Sequence, residues 1–333
     1  MKKFFALALA LVMLLSLAAC GSKTEPAAEG SAAEAVTPSD DAFVVGICQL
    51  VQHEALDAAT QGFKDALVEE FGEDGVVFEE QNAAGDSATC STICDGFVTE
   101  GVDLIMANAT PALKAAATAT DSIPVLGTSI TEYGVALQLD NFNGVVGTNV
   151  SGTSDLAPLD EQAKMVTEFC PDAKTVGILY CSAEANSVYQ ADVVKAELEK
   201  AGLTVNVYTF ADSNDVASVT QSACDECDAL YIPTDNTAAS CAEAINNVAQ
   251  PAGVPIIAGE EGLCKGCGIA TLSISYYELG RATGEMAIQI LKGEANVSEM
   301  EIGYDTNPVP KYNAELCEAL GITVPEGYTA IEG

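Results

Sequence analysis

Val45-Gly46-Ile47-Cys48 and, further along, Val176-Gly177-Ile178-Leu179 are two copies of one stretch, and this pair decides the fold. Each is a β-rich apolar run followed by a polar loop and then a segment of helical period. After the first copy Leu56, Ala59, Phe63, Leu67 and Phe71 recur at helical spacing and stop at Gly72. After the second, Ala191, Val194, Leu198 and Ala201 do the same and stop at Gly202. Both glycines stand where the end of a helix calls for positive φ.

The parallel continues outward. Val76 to Gln81 answers Leu203 to Phe210, and helical stretches follow from near Asp86 and near Asp212. Next come Val102-Asp103-Leu104-Ile105-Met106 and Cys227-Asp228-Ala229-Leu230-Tyr231. Ile123-Pro124-Val125-Leu126-Gly127 and Val254-Pro255-Ile256-Ile257-Ala258 close the repeat, with Pro124 and Pro255 keeping the spacing of Val45 and Val176. Strands this apolar, alternating with helices, need parallel sheets covered on both faces. The fold class expected is therefore α/β, with two Rossmann-like lobes, each a parallel sheet flanked by helices, hinged around a central cleft. Tyr276 to Leu291 reads as one more long helix and Tyr304 to Val324 as a last strand and helix. The expected division is residues 43–149 with 276–297 for the first lobe, and 151–272 with 301–330 for the second.

The beginning of the chain reads as an export signal. Lys2 and Lys3 precede an apolar run from Phe4 to Leu17 that is too short for a permanent span, and Leu17-Ala18-Ala19-Cys20 closes it as a lipobox. Residues 1–19 are expected to be a lipoprotein signal peptide, with Cys20 as the acceptor of a diacylglyceryl anchor. Residues 20–42, rich in Ala, Glu, Ser, Thr and Pro, read as a disordered tether that could reach about 70 Å when stretched. The expected location is the outer face of the cytoplasmic membrane, or the periplasmic side where an outer membrane exists.

The formal charge is −36, from 13 basic and 49 acidic residues; removal of Lys2 and Lys3 would leave 11 basic residues and a charge of −38. A surface of that sign repels phosphate backbones, and no basic run interleaved with aromatics opposes it, so nucleic acid is excluded as a partner. About 290 residues after the tether exceed what one core usually serves, in keeping with two lobes.

Several strings now carry a resemblance. His53-Glu54-Ala55-Leu56-Asp57 with Gly62-Phe63, Gln81-Asn82-Ala83, Thr110-Pro111-Ala112, Asn149-Val150-Ser151-Gly152, Asn186-Ser187, Pro233-Thr234-Asp235-Asn236-Thr237, Tyr276-Tyr277-Glu278-Leu279-Gly280-Arg281 and Leu291-Lys292-Gly293-Glu294 occur in order. Together they resemble the ABC transporter substrate-binding protein family of the type I periplasmic-binding fold. The resemblance implies a receptor that captures a small solute and hands it to an ABC permease, and relatives are associated with aromatic amino acids; the chain is expected to act as a monomer and without a cofactor. The chain departs from the family pattern at Glu132-Tyr133 and at Cys264 and Cys267. A ligand sensor for a membrane signalling protein would share the same physics and is the alternative.

Ligands of open α/β sheets bind beyond the carboxyl ends of the strands, where helix N-termini offer free N–H groups. The first lobe should thus contribute His53, Glu54, Thr110, Thr128 and Ser129, and the second Asn186, Ser187, Asp235, Asn236 and Glu260. For an amino-acid zwitterion, Asp235 and Glu260 can accept from the ammonium. The carboxylate must rely on hydroxyls and backbone donors, because Arg281, the one arginine, falls inside a helix. Thr110 ahead of Pro111 is expected as an N-cap, with Ser129 and Ser187 beside it. Tyr133, Tyr180 or Tyr189 could stack on an aromatic ligand. Each acidic residue has a plainer reading as a helix cap, and His53, the one histidine, as a loop residue.

Twelve cysteines include two CxxC pairs, Cys224 with Cys227 and Cys264 with Cys267, and a helical pair, Cys90 with Cys94. A metal or redox site on them is the minor reading, because the two pairs are farther apart than in compact zinc sites. Packing as small apolar side chains is the expectation, and no metal is assigned. Catalysis is disfavoured: His53-Glu54-Ala55-Leu56-Asp57 lacks the second histidine of a zinc-protease motif, and there is neither a phosphate-binding P-loop nor a GxSxG elbow.

Overall fold

The protein, as a computed structural model, is described over residues 42–304 and 307–332. The signal peptide, Cys20 and the tether up to residue 41 lie outside the described residues. Strands and helices alternate through the first lobe as β1 (Phe43–Gln49), α1 (Glu54–Phe71), β2 (Val76–Asn82), α2 (Ser87–Glu100), β3 (Leu104–Asn108), α3 (Thr110–Ala119), β4 (Val125–Ile130), α4 (Tyr133–Leu137) and β5 (Val150–Ser154). The second lobe follows as α5 (Leu159–Phe169), β6 (Thr175–Cys181), α6 (Ala185–Lys200), β7 (Thr204–Phe210), α7 (Val216–Glu226), β8 (Ala229–Ile232), α8 (Asn236–Ser240), α9 (Ala242–Ala252), β9 (Ile256–Ala258), α10 (Glu261–Cys267) and β10 (Ala270–Ser273). The chain ends with α11 (Tyr276–Leu291), β11 (Gly303–Tyr304), β12 (Val309–Tyr312), α12 (Ala314–Leu320) and β13 (Thr329–Ala330).

Two separate sheets result, ordered β2-β1-β3-β4-β5-β11 and β7-β6-β8-β9-β10-β12-β13. The duplicated stretches hold equivalent places. β1 lies between β2 and β3, and β6 between β7 and β8, all in parallel. The two prolines are equivalent as well, Pro124 O accepting from Ile105 N and Pro255 O from Leu230 N, each at 2.9 Å. Val45, Ile47, Val176 and Ile178 are fully buried because helices cover both faces of each sheet.

The helix ends follow the local chemistry. Gly72 and Gly202 take φ of 76° and 90°, as expected. Asp86 caps α2 through the Thr89 N–H, whereas Asp212 closes a turn onto Asn214 N and α7 begins later, at Val216. Helix α11 lies on α1 at a separation only glycine permits: a Cβ on Gly62 would stand 2.1 Å from Tyr277 O, and one on Gly280 2.0 Å from Ala59 O.

The expected lobe boundaries need correction in two places. β5 was assigned to the second lobe, yet it pairs with β4 in the first sheet, and Gly152 at φ 138° permits its close approach to Gly127. Residues 301–304 were likewise assigned to the second lobe, but Glu301 bridges Val145 and β11 pairs with β5. The described chain therefore passes between the sheets after Ser154, after Ser273, and between Tyr304 and Val309. The first two are tied together where Tyr276 OH donates to Asp155 Oδ2, and crossings of this kind form a hinge.

Candidate ligand site between the lobes

The carboxyl ends of the first-lobe strands carry strained backbone. Ala84, Ala109 and Ser129 all have positive φ, of 53°, 88° and 56°, although none is glycine. Such conformations are held only where the surroundings over-determine them, and they collect at binding sites. Ser129 lies where the β4–β5 register shifts between Gly127 and Ile130, a bulge that re-aims its side chain. Its hydroxyl is buried and has no hydrogen-bond partner.

Thr110 was expected as an N-cap. The cap is Ala109 instead, since the Ala109 N–H still pairs with Thr128 O and the chain must turn abruptly after it. Leu113 N makes the first bond of α3, to Ala109 O, so the N–H groups of Thr110 and Ala112 precede the helix ladder. No side-chain cap covers this end, nor that of α1 behind His53.

The second lobe presents carboxylates already in use. Asp235 caps α8 with Oδ1 on Ala238 N at 2.7 Å and holds Cys181 N with Oδ2 at 2.7 Å. Glu260 caps α10 by accepting from Gly262 N and Leu263 N. Burial, with the charge of Glu184 adding to it, pushes Asp235 up to about 7; burial likewise raises Glu260 to about 7. Each oxygen of both already accepts one backbone N–H, so capping is a role these two residues have with or without a ligand. Glu184 is equally committed, accepting from Asn236 N, Asn236 Nδ2, Thr237 N and Thr237 Oγ1 at 2.6 to 3.1 Å.

A hydrogen-bonded path crosses from lobe to lobe. His53 Nε2 lies 3.2 Å from Asn236 Oδ1. Asn236 gives its NH2 to Glu184, so its oxygen must accept and the imidazole must donate. Burial holds His53 below its ordinary pKa, and the neutral ring leaves Nδ1 as a bare acceptor without a partner. Asn186 Nδ2 reaches Glu184 Oε2 and Thr234 O, while its Oδ1 is unpartnered. Gln190 then joins Thr234 O at 3.0 Å to Thr131 Oγ1 of the first lobe at 3.5 Å.

Sequence reasoning missed Thr131, Gln190 and Asp155. Asp155 is the residue after β5, nearly fully buried, with Oδ2 accepting from Tyr276 OH at 2.9 Å and Oδ1 unpartnered. The strand-end rule would have found it had β5 been placed in the first sheet. Ser187 is buried beside Asp235 and contributes to that cap.

Other expected residues are not brought to this path. Thr128 turns inward, 3.4 Å from Thr153 Oγ1, which in turn lies 2.7 Å from Thr283 Oγ1. Glu54 is exposed and pairs across the lobes with Lys265 at 3.6 Å. Glu54 and Glu260 instead line a cavity of about 320 Å³ beside the hinge, with Ser273, Tyr276 and Lys311. Tyr133 is a core residue, its hydroxyl donating to Gly127 O and Thr153 O. Tyr180 packs in the second-lobe core, and Tyr189 stands near Glu132 on α6.

All eleven cysteines in the described residues are free. Cys90, Cys94 and Cys264 are completely buried, and burial raises the Cys224 thiol to about 11, away from thiolate chemistry. Among the described residues no group of three or more His, Cys, Asp or Glu is arranged to hold a metal. Nor is any helix there long and apolar enough to cross a membrane.

Comparison with known proteins agrees with this architecture. Residues 44–330 match the family described as ABC transporter substrate binding protein. A tyrosine-binding protein of Clostridioides difficile is 36% identical over 256 residues, 75% of this chain and 73% of that one. The structure of an ABC domain in complex with L-Trp from Streptococcus pneumoniae is 33% identical, superposes with a TM-score of 0.82, and covers 87% of this chain and 100% of its own. The ligand-free, open structure of a substrate-binding protein with adhesive properties from Clostridium difficile is 36% identical, covers 87% and 99%, and superposes at 0.65. The chain is thus nearer in shape to the occupied structure than to the open one, although nearer in sequence to the open one. The contacts from His53 to Asn236 and from Gln190 to Thr131 say the same: the lobes are closed.

Proposed function

Since the chain belongs to the ABC transporter substrate-binding protein family, we propose that its interlobe cleft receives an aromatic amino acid as the free zwitterion. The protein is the extracytoplasmic solute-binding component of an ABC importer and not an enzyme. Its fold is that of the periplasmic binding proteins, two parallel-sheet lobes on a hinge.

One observation carries the ligand reading. Among the described residues, buried side-chain polar atoms without partners belong to His53, Asn108, Ser129, Asp155, Asn186 and Thr271; all but Thr271 lie at strand ends, helix starts or the hinge. A folded chain rarely leaves such atoms unpaired, and several of them at the strand ends of two lobes mark a place where something else completes the bonding. Most are acceptors, suited to the three N–H donors of an ammonium. The uncapped starts of α1 and α3, with Ser129, supply donors and positive dipole for a carboxylate. The two relatives named for tyrosine or bound to L-Trp support an aromatic side chain.

Residues 1–19 are proposed to be removed as a lipoprotein signal peptide, leaving Cys20 lipidated and residues 20–42 as a tether to the membrane beside the permease. Labelled fatty acid should enter the wild-type chain and not a Cys20→Ala variant.

The deciding experiment is a thermal-shift screen of the twenty amino acids, because a ligand bound only by the folded state must raise Tm. L-tyrosine or L-tryptophan is expected to give the largest shift. A flat response to all twenty would end the amino-acid reading.

A further inference from the structure

We infer that Asp155, on the hinge rather than on a strand-end loop of either lobe, receives the ammonium of the ligand and makes lobe closure conditional on it. This rests on the amino-acid reading above and assigns its charged contact.

The charges come first. Among the described residues no lysine or arginine is buried, whereas Asp155, Glu184, Asp235 and Glu260 all are. A cleft with that balance favours a ligand that brings positive charge. In three of the four, both oxygens already accept from N–H or O–H donors of the second lobe. Asp155 alone keeps a buried oxygen with no partner, Oδ1.

Its surroundings offer hydroxyls and no charged donor. Besides Tyr276 OH on Oδ2, the Thr131 hydroxyl stands beside it, and burial outweighs both to hold the carboxyl above its ordinary range. Thr131 leads through Gln190 and Thr234 to Asn186, whose Oδ1 is a second unpartnered acceptor. An ammonium is a compact group with three donors and a full charge. It would satisfy such acceptors where a neutral hydroxyl could not.

Position supplies the coupling. Asp155 N still donates to Ile130 O, so the residue is fixed to the first sheet where the chain leaves it. Tyr276 opens α11, where the chain returns to the first lobe. The bond between them ties two hinge crossings together. With the lobes shut Asp155 is enclosed, and a cation on Oδ1 removes the cost of keeping it ionised there. Ligands without an ammonium should therefore bind weakly and fail to hold the lobes closed.

The test compares L-tyrosine with 3-(4-hydroxyphenyl)propanoate, which lacks only the ammonium, by calorimetry on the chain from Gly21 onward, in wild type and Asp155→Asn. Wild type should prefer L-tyrosine at least 30-fold. Asp155→Asn, isosteric and checked for folding by circular dichroism and Tm, should lose at least 30-fold in L-tyrosine affinity and shrink the preference to under threefold. Wild-type indifference to the ammonium, or L-tyrosine affinity within threefold in Asp155→Asn, overturns the assignment; should that variant not fold, Asp155→Ser is measured in its place by the same criteria. If no amino acid, L-tryptophan included, binds wild type, the underlying reading fails and this one with it. Binding that persists in Asp155→Asn removes only the assignment to Asp155.

Discussion

Helices α3 and α8 begin at equivalent places in the two lobes, each after the strand that follows the duplicated first strand on the inner side, yet they begin differently. α3 starts behind Ala109, at φ 88° and without a side-chain cap; α8 starts behind Asp235, whose carboxylate fills the N-terminus. The contrast is particular to this pair: α1 and its counterpart α6 both start without a side-chain cap, whereas α4 and its counterpart α10 are capped by Glu132 and Glu260. One fold repeated twice has thus been used in two ways. At the α3–α8 pair the first lobe keeps its N–H groups, with a strained serine nearby, available at the cleft, and the second fills the equivalent helix start with Asp235. It follows that acidity at a strand end does not identify a ligand contact unless an oxygen is left over.

The contrast predicts a dissociation between stability and affinity. The largest effect is expected from Asp235→Ala, which leaves the buried Ala238 and Cys181 N–H groups unsatisfied and should cost about 3 kcal/mol in urea unfolding. Affinity for L-tyrosine should stay within threefold of wild type; a variant of normal stability that cannot bind would reverse the assignment of roles. Ser129→Ala is the opposite case. Its hydroxyl makes no bond in the protein, so stability should change little, while affinity falls roughly tenfold, or about 1.4 kcal/mol. Ser129→Gly should weaken binding as much and raise stability by about 1 kcal/mol, because glycine accepts φ near 56° without strain.

Much of this was legible in the sequence, and the parts that were not have one cause. Strand identities, the α11 span and the two-lobe repeat follow from periodicity and from matched prolines and glycines, which are local signals. The lobe boundary was misplaced because β5, Val150-Ser151-Gly152-Thr153-Ser154, has little apolar content and is held in the first sheet by a glycine-on-glycine approach that only the fold creates. That error hid Asp155. Thr128 and Ser129 are neighbours and looked alike, but a bulge sends one hydroxyl into the core and leaves the other unpaired. Asp235 and Glu260 were found as cleft residues, and what they do there depended on counting their partners, which requires coordinates.

The acidic caps also predict a pH response. Asp235 and Glu260 titrate near 7 when folded and at about 4 to 4.5 when unfolded, so between those values the native state holds protons that the unfolded chain releases. Their contribution to stability is present at low pH and is lost as pH rises through about 7. His53, lowered by burial, acts oppositely as pH falls through its unfolded value near 6.5, but it is one group against three, since burial raises Asp155 in the same direction as the two caps, and the net charge of −36 also favours mild acid. The ligand-free protein should therefore melt several degrees higher at pH 5.5 than at pH 8. Asp235→Asn should flatten that dependence. A steeper loss of stability in acid than in base would show that the caps remain ionised when buried.

The smallest effect concerns an ion pair that bridges the lobes at the surface, Glu54 of α1 with Lys265 of α10 at 3.6 Å. Both side chains are substantially exposed, 61% and 42%, so solvent and salt screen the attraction, and ordering two long side chains offsets part of the remainder. Lys265→Ala should weaken ligand affinity by about 0.5 kcal/mol or less, near twofold, and only at low ionic strength. The difference should vanish by about 0.5 M salt, where the screening length falls to a few ångströms. The buried path through His53, Gln190 and Asp155 has no such exposure, and its contribution should survive the same salt. If Lys265→Ala instead matched Ser129→Ala in magnitude and ignored salt, closure would be held by surface charge, and the buried acceptors would lose their claim to be what the ligand completes.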